Sequence, residues 1–331
     1  MWRALALCSP SSQPQANKGV KPMKKILLAA LMILMLIVSA ALAETEAVVE
    51  TVSYRGQFSC DVNAEYIDMG KVRVTEMNDF IKFLQKLPNI KKVDMFNTNM
   101  YTKDIDLLAA AFPNIEFGWT MRIGDHWVRT DATAFSTLHN NSSTMHSEKQ
   151  FQYLKYCKNL VALDIGHNAV RNLNFLYDLP NLKVLILACN IDLRDITPVG
   201  SLKNLEYLEL FKNDIHDISC LANCTNLIDL NICFNRIKDW TPLHGLDKLE
   251  RLWLYNSNNW SAEYPVDKQV VYALKEALPN CHVDSTSYST LGGWREHDRY
   301  YVIYHMFKYG EYIPFYDAPE IKEKYPNGIK L

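Results

Sequence analysis

The sequence predicts an α/β solenoid with a parallel sheet along its concave side, and three observations lead there. Five anchors, Leu160, Leu182, Leu205, Leu227 and Leu249, are each followed three positions on by Leu163, Leu185, Leu208, Leu230 or Leu252, and five positions on by Ile165, Leu187, Leu210, Ile232 or Leu254. Eight positions after the anchors stand Asn168, Asn190, Asn213 and Asn235, and Ser257 breaks the series. The anchors are spaced by 22, 23, 22 and 22 residues, a period of one supersecondary unit. One such unit holds a single short strand whose leucines cannot be buried alone, so stability requires neighbours to stack.

Written out, the unit is L-x-x-L-x-L-x-x-N, the leucine-rich-repeat pattern, and it predicts a horseshoe. The asparagine sits where the chain leaves the strand, and its amide can serve backbone groups that no sheet ladder reaches. Twenty-two residues leave little room for a full helix on the convex side, so short 3₁₀ or single-turn pieces are expected there. Asp195-Ile196, Asp217-Ile218 and Asp239-Trp240 repeat one step of that convex return. In these residues the core resembles the short repeats of bacterial internalins, a likeness that implies architecture more than partner.

Taken in order, residues 1–22 mix Ser, Pro, Gln, Asn and Lys without apolar periodicity, and read as disordered or untranslated. At Met23 the character changes: Lys24-Lys25, an apolar run from Ile26 to Val38, then Ser39-Ala40-Ala41-Leu42-Ala43. That is the layout of a secretory signal spanning 23–43 with cleavage after Ala43. The alternative is an uncleaved membrane anchor over residues 26–43, which just reaches bilayer length. Residues 1–43 hold five basic groups and no acid, so the chain from Glu44 has 30 basic and 37 acidic residues, a formal charge of −7. Such a surface does not recruit nucleic acid by releasing counterions.

Residues 44–53 read as an acidic linker. Residues 54–158 read as atypical N-terminal repeats that cover the open end of the sheet. Within them, a helix-capping opening at Thr75 and apolar residues at 77, 80, 81, 84 and 87 predict a helix that ends at Pro88-Asn89-Ile90. Asp104 to Phe112 repeats the arrangement before Pro113-Asn114-Ile115. Phe117, Trp119, Met121 and Ile123 alternate as a strand that turns at Gly124-Asp125. Ser147 to Tyr156 predicts another convex helix. Residues 159–257 are the regular repeats, and 258–318 form a C-terminal cap. The cap opens on the loop Asn258-Asn259-Trp260, continues through a helix from Asp267 to Leu278 and a further repeat lead-in at Pro279-Asn280-Cys281, and closes with an aromatic helix over 300–307. Residues 319–331 are a frayed tail. The segments 112–119, 164–168 and 292–295 resemble secreted leucine-rich-repeat proteins of anaerobic gut-type bacteria, which implies an extracytoplasmic binding protein without naming a ligand.

Alternation along each strand points the residues two, four and six after the anchor toward the concave side. Ala162, Val184, Asp164, Ile186, Gly166 and Ala188 fill the first two repeats, whereas the last three gather larger and charged groups. The candidate ligand-binding residues are therefore Tyr207, Glu209, Phe211, Asp229, Asn231, Arg251, Trp253 and Tyr255, because exposed aromatics beside charges are what contact surfaces use. The alternative is that the C-terminal cap covers these rings as an extension of the core.

Catalysis is the weaker expectation. His167 and Cys189 share the position seven after the anchor in consecutive repeats, where a thiolate would be conceivable. No third group orients the histidine, and no metal-ligand, phosphate-loop or nucleophile-elbow spacing is present. Neither a cofactor nor a metal is expected. Seven cysteines (60, 157, 189, 220, 224, 233, 281) follow the signal, an odd number; Cys157 and Cys224, and Cys189 and Cys233, lie at repeat positions too far apart to bridge, and Cys220 and Cys224 share one short turn of poor geometry, so they read as mainly reduced packing residues. The reading is a monomeric, exported, non-enzymatic protein that binds a protein, peptide or glycan and touches a membrane only if its N-terminal segment stays uncleaved. A structural envelope scaffold and a thiol-dependent enzyme are its rivals.

Overall fold

The computed structural model describes residues 32, 49–138, 145–255, 266–287, 290, 293–315 and 323. The expectations for residues 1–22, the signal segment apart from Met32, residues 44–48, Ser257, the loop 258–260, Gly292 and the tail apart from Glu323 lie outside them. The chain divides into Met1–Thr51 and Val52–Leu331, and the second holds the elements that follow, apart from Thr51 at the start of the first strand. Among the described residues no helix is long and apolar enough to cross a membrane.

A two-stranded sheet of β1 (Thr51–Tyr54) and β2 (Phe58–Asp61) comes first. Tyr54 is buried edge-on to Phe80, 5.3 Å between centroids, on α1 (Met77–Leu84). The apolar spacing predicted this helix correctly, yet its N-cap is Glu76 with no side-chain cap, so the capping opening at Thr75 does not form. Next come β3 (Tyr66–Asp68), β4 (Lys92–Met95), α2 (Ile105–Ala111), β5 (Glu116–Ile123) and β6 (His126–Arg129). Strands β3, β4 and β5 run parallel as degenerate repeats; β6 then turns back antiparallel to β5, pairing Ile123 with His126. This reversal ends the first sheet, because an antiparallel strand cannot continue a parallel solenoid ladder.

The second sheet has seven parallel strands: β7 (Ala134–Ser136), β8 (Ala162–Asp164), β9 (Val184–Ile186), β10 (Tyr207–Glu209), β11 (Asp229–Asn231), β12 (Arg251–Trp253) and β13 (His282–Asp284). The register places Phe135, Leu163, Leu185, Leu208, Leu230, Leu252 and Val283 side by side along one line. All the leucines of that line are fully buried, each such burial stabilising by about 1.5–3 kcal/mol. Strand β7 lies within 54–158 and carries no repeat signature of its own. Ser147 and Gln150 form a capping box on the one-turn helix α3 (Glu148–Phe151), which runs on as a 3₁₀ turn to Tyr156. The convex returns are 3₁₀ turns at Asn174–Asp178, Thr197–Ser201, Ser219–Asn223 and Thr241–Leu243, as the short period requires. Asp195, Asp217 and Asp239 accept the N–H of Thr197, Ser219 and Thr241, so the repeated Asp-Ile/Trp step starts the last three turns, and Asn172 does the same for Asn174 in the first. The helices α4 (Lys268–Ala277) and α5 (Asp298–Tyr309) complete the chain.

Asparagine holds the stack together. Asn213 donates to Leu187 O and Leu210 O, 3.1 and 2.9 Å away, and accepts Asn190 N–H at 2.8 Å. Asn190 and Asn235 repeat this pattern one turn away on either side. Each amide thus satisfies buried backbone groups of two successive repeats.

Candidate functional site

On a solenoid the concave sheet is the surface a ligand meets, and here the chain's own C-terminal segment fills it. Helix α5 packs mainly across β7 and β8. A second hydrophobic cluster, separate from the one inside the solenoid, joins Ala134, Ala162, Val184 and Ile186 to Val302, Ile303, Met306 and Phe307 of that helix. The small residues of the first repeats make room for it: Ala162 and Val184 are fully buried although they point outward. Where the helix has passed, the columns enlarge, and Trp294 fills the space between Tyr207 and Trp253 with centroids 5.5 and 5.6 Å away.

The expectation that the eight candidate residues form an open contact surface is therefore corrected. Tyr207, Glu209, Asp229, Asn231, Arg251 and Trp253 are all buried, Arg251 the most exposed at 8%. Phe211 and Tyr255 are half-buried and pack against the same cluster, bridged by Phe234 at 5.3 and 5.4 Å. The covering alternative is the observed one, because burying these rings against the cap removes more apolar surface from water than leaving them open.

Charge under the cap is matched with care. Asp229 accepts two hydrogen bonds from Arg251 (2.8 and 2.7 Å) and two from Arg299 of α5 (2.7 and 2.8 Å). Burial alone would push its carboxyl up, but the two guanidiniums outweigh it and hold the group below its ordinary range. Arg299 reaches on to Glu250 at 2.7 Å. Glu209 accepts the Tyr207 hydroxyl at 3.0 Å and the Trp294 indole N–H at 3.1 Å. Neither donor is charged, so burial prevails and its carboxyl rises. Asp164, held by Ser136 Oγ and Gly166 N–H at 3.0 Å each, is pushed by burial to about 7. The covering helix and Trp294 were legible only as an aromatic-rich cap after Gly293, whereas the pairing of Arg299 with Asp229 was missed and had no signal in the sequence.

His167 and Cys189 occupy a backbone position with a structural explanation. His167, Cys189, Lys212 and Phe234, the residue before the ladder asparagine in four successive repeats, all have φ between 55° and 59°. The left-handed turn there aims each following asparagine inward. Burial raises the Cys189 thiol and lowers the His167 imidazole, so neither is drawn toward the charged form a thiolate–imidazolium pair needs. Among the described residues all seven cysteines are free thiols, and no cluster of His, Cys, Asp and Glu could hold a metal.

The open concavity lies where the two sheets fail to join. A cleft of about 700 Å³ is lined there by Phe96, Phe112, Phe117, Trp119 and Tyr156. Phe117 stacks on Trp119 at 5.6 Å with 16° between planes, and Tyr156 meets Trp119 edge-on at 5.5 Å. Gly118 lets Asp94 and Phe96 close over the strand, since a Cβ there would stand 2.5 Å from Asp94 Oδ1 and from the Phe96 ring and would push those side chains aside. Charges around the cleft are paired: Lys92 with Glu116 at 2.8 Å, Arg129 with Asp131 at 2.7 Å, and Lys158 with Asp178 at 3.4 Å. The cleft thus presents ring surface beside paired charges and the polar groups of Thr130 and Asn159.

Comparison with known proteins supports the repeat over part of the chain. Residues 203–243 match the model for leucine rich repeats (2 copies). An internalin C2 from Listeria monocytogenes is 20% identical, with 66% of this chain and 80% of that chain covered and a TM-score of 0.36. An internalin (inlF) from the same organism is 15% identical over 66% and 73%, with a TM-score of 0.33. The Arabidopsis receptor kinase HAESA, solved in complex with a peptide hormone and a co-receptor, is 19% identical over 66% of this chain and 30% of that chain, with a TM-score of 0.30. No curated protein matches the sequence significantly.

Proposed function

We propose that this leucine-rich-repeat protein is an exported, non-catalytic binding protein, and that it takes a protein, peptide or glycan ligand at the aromatic cleft between its two sheets. One observation carries the reading: the half-buried rings of Phe96, Phe112, Phe117 and Tyr156 gather with the buried Trp119 around an open cleft at the break in the stack, whereas the concave sheet is already filled by the chain itself. Concave pockets lined by aromatic side chains with a few polar groups are the usual sites of ligand recognition. Tyr207, Glu209, Asp229 and the other concave residues enter recognition only if residues 293–315 leave the sheet. The structural role of the left-handed position of His167 and Cys189 supports binding over catalysis. The basic-then-apolar segment ending at Ala43 supports export.

Two measurements test this. The intact protein, and a Phe112→Ser, Phe117→Ser variant with an unchanged circular dichroism spectrum, are offered to a glycan array and a displayed peptide library. Tyr272→Ser, a change at an exposed ring on α4 beside β13, the strand at the far end of the second sheet from β7, serves as control. Ligands held by the parent and the control but released by the double variant are the expected result; equal retention by all three rejects the cleft. Mass spectrometry of protein recovered outside producing cells is expected to show a chain beginning at Glu44.

A further inference from the structure

Beyond the aromatic cleft, the break between the sheets leaves two strand edges facing one space. Strand β6 is the last strand of the first sheet and β7 the first of the second, and among the described residues no strand pairs with either outer edge. All four residues of β6 and all three of β7 line one cavity of about 550 Å³, closed on a third side by the end of α5 from Tyr304 to Gly310. A strand inside a sheet occupies about 3.3 Å along its axis, 4.8 Å to its neighbour and 10 Å through the layer, or roughly 160 Å³ per residue. The cavity thus holds three to four residues of extended chain, the length of the strands that flank it.

The main-chain groups needed to hold such a segment are present. The pairs Met121–Val128 and Ile123–His126, with Thr130 N–H donating to Trp119 O at 2.9 Å, alternate along the hairpin and turn the peptide groups of Trp127 away from β5. On β7, Thr133 O and Thr137 N bond to β8, which turns Ala134 and Ser136 the other way. That edge already engages main chain: Gly310 O accepts Ala134 N–H at 3.4 Å, and Tyr312 N–H donates to Thr133 Oγ1 at 2.8 Å. Ser136 lies beyond that contact.

Electrostatics selects the occupant. The lining contains Arg129 and Lys308 but no aspartate or glutamate. Arg129 is neutralised by Asp131, while Lys308 is exposed and has no ion pair among the described residues. Trp127, 67% exposed, and Tyr309, 49% exposed, flank the opening and offer apolar cover to alternate side chains. We propose that a short extended peptide carrying an acidic residue inserts between β6 and β7 as an added strand, bridging the two sheets by main-chain hydrogen bonds. Strand addition of this kind takes affinity from the backbone and selectivity from every second side chain, and here Lys308 supplies the selectivity.

The test uses the intact protein and three fluorescein-labelled hexapeptides: one alternating Val and Glu, the same sequence with alternate amides N-methylated, and a Val–Lys twin. Anisotropy titration is expected to show the Val–Glu peptide binding at least 10-fold tighter than its N-methylated form and several-fold tighter than the Val–Lys twin. Lys308→Glu, at an exposed helix position, is expected to invert that last preference. Amide hydrogen exchange is expected to slow at Trp127 and Ser136 on binding. Equal affinity of the N-methylated peptide, protection confined to other strands, no inversion by Lys308→Glu, or no binding at millimolar peptide would each overturn the proposal.

Discussion

Replacing Asp229 by alanine tests whether the cap is an integral part of the fold. The carboxylate is fully buried and takes four hydrogen bonds, two from Arg251 on the neighbouring strand and two from Arg299 on α5. Its removal leaves two guanidiniums, 10% and 15% exposed, without their shared counterion; Arg299 keeps the carboxylate of Glu250, while Arg251 keeps only the Trp294 carbonyl at 3.4 Å and the ring of Trp294. Breaking a buried pair by deleting one member costs about 3–5 kcal/mol. At roughly 2 °C per kcal/mol for a chain of this size, the melting temperature should fall by about 6–10 °C. Differential scanning calorimetry measures the loss, and hydrogen exchange resolved by residue locates it. Val302 to Phe307 should lose protection before the leucine strands do, since α5 hangs on this link while the strands keep their asparagine ladder. Glu250→Ala is the control, because that carboxylate is 56% exposed and its ion pair is worth about 1 kcal/mol or less. A drop below 2 °C for Asp229→Ala, or the same drop for Glu250→Ala, would refute the reasoning.

Other consequences are separable. Asp164 is raised to about 7, so the folded chain keeps a proton that the unfolded chain releases, and stability is lost as pH climbs from about 4 to about 7. Up to roughly 4 kcal/mol is at stake, and Asp164→Asn should flatten the fall in melting temperature between pH 5 and 8. Asn213→Ala leaves the buried N–H of Asn190 without its acceptor and takes one of two donors from the carbonyls of Leu187 and Leu210, which keep Asn190 and Asn235; urea denaturation should show a loss of about 1–3 kcal/mol. Lys212 carries an exposed side chain at φ 58°, so Lys212→Gly should raise stability by about 0.5–1 kcal/mol in the same assay, and a loss would mean that the side chain has a role beyond the turn.

Much of this protein could be read from local spacing. The leucine columns, the asparagine ladder and the short convex turns follow from a 22-residue period, because each is decided by residues within one repeat of each other. Strand β7 was not legible as a repeat: Ala134-Phe135-Ser136 offers one large apolar residue and no anchor, and it becomes a sheet strand only by pairing with Ala162–Asp164. The opening at Thr75 looked like a cap and is not one, because the helix begins one residue later at a glutamate that does not use its side chain.

The candidate site shows the limit most clearly. Alternation told which side chains leave the concave face of each strand, and it was right about their direction. It could not tell whether water or protein lies beyond them, since Tyr207 and Trp294 are 87 positions apart and nothing in either neighbourhood announces the other. The sequence by itself determined the repeat, its register and its internal ladder, since short-range periodicity and backbone hydrogen bonding suffice to specify them. Only the tertiary structure decided which face of the sheet is closed by α5 and where the two sheets part. Both depend on long-range burial, in which a helix finds the one row of small residues it fits, and on a hairpin that reverses the chain before the next strand can stack.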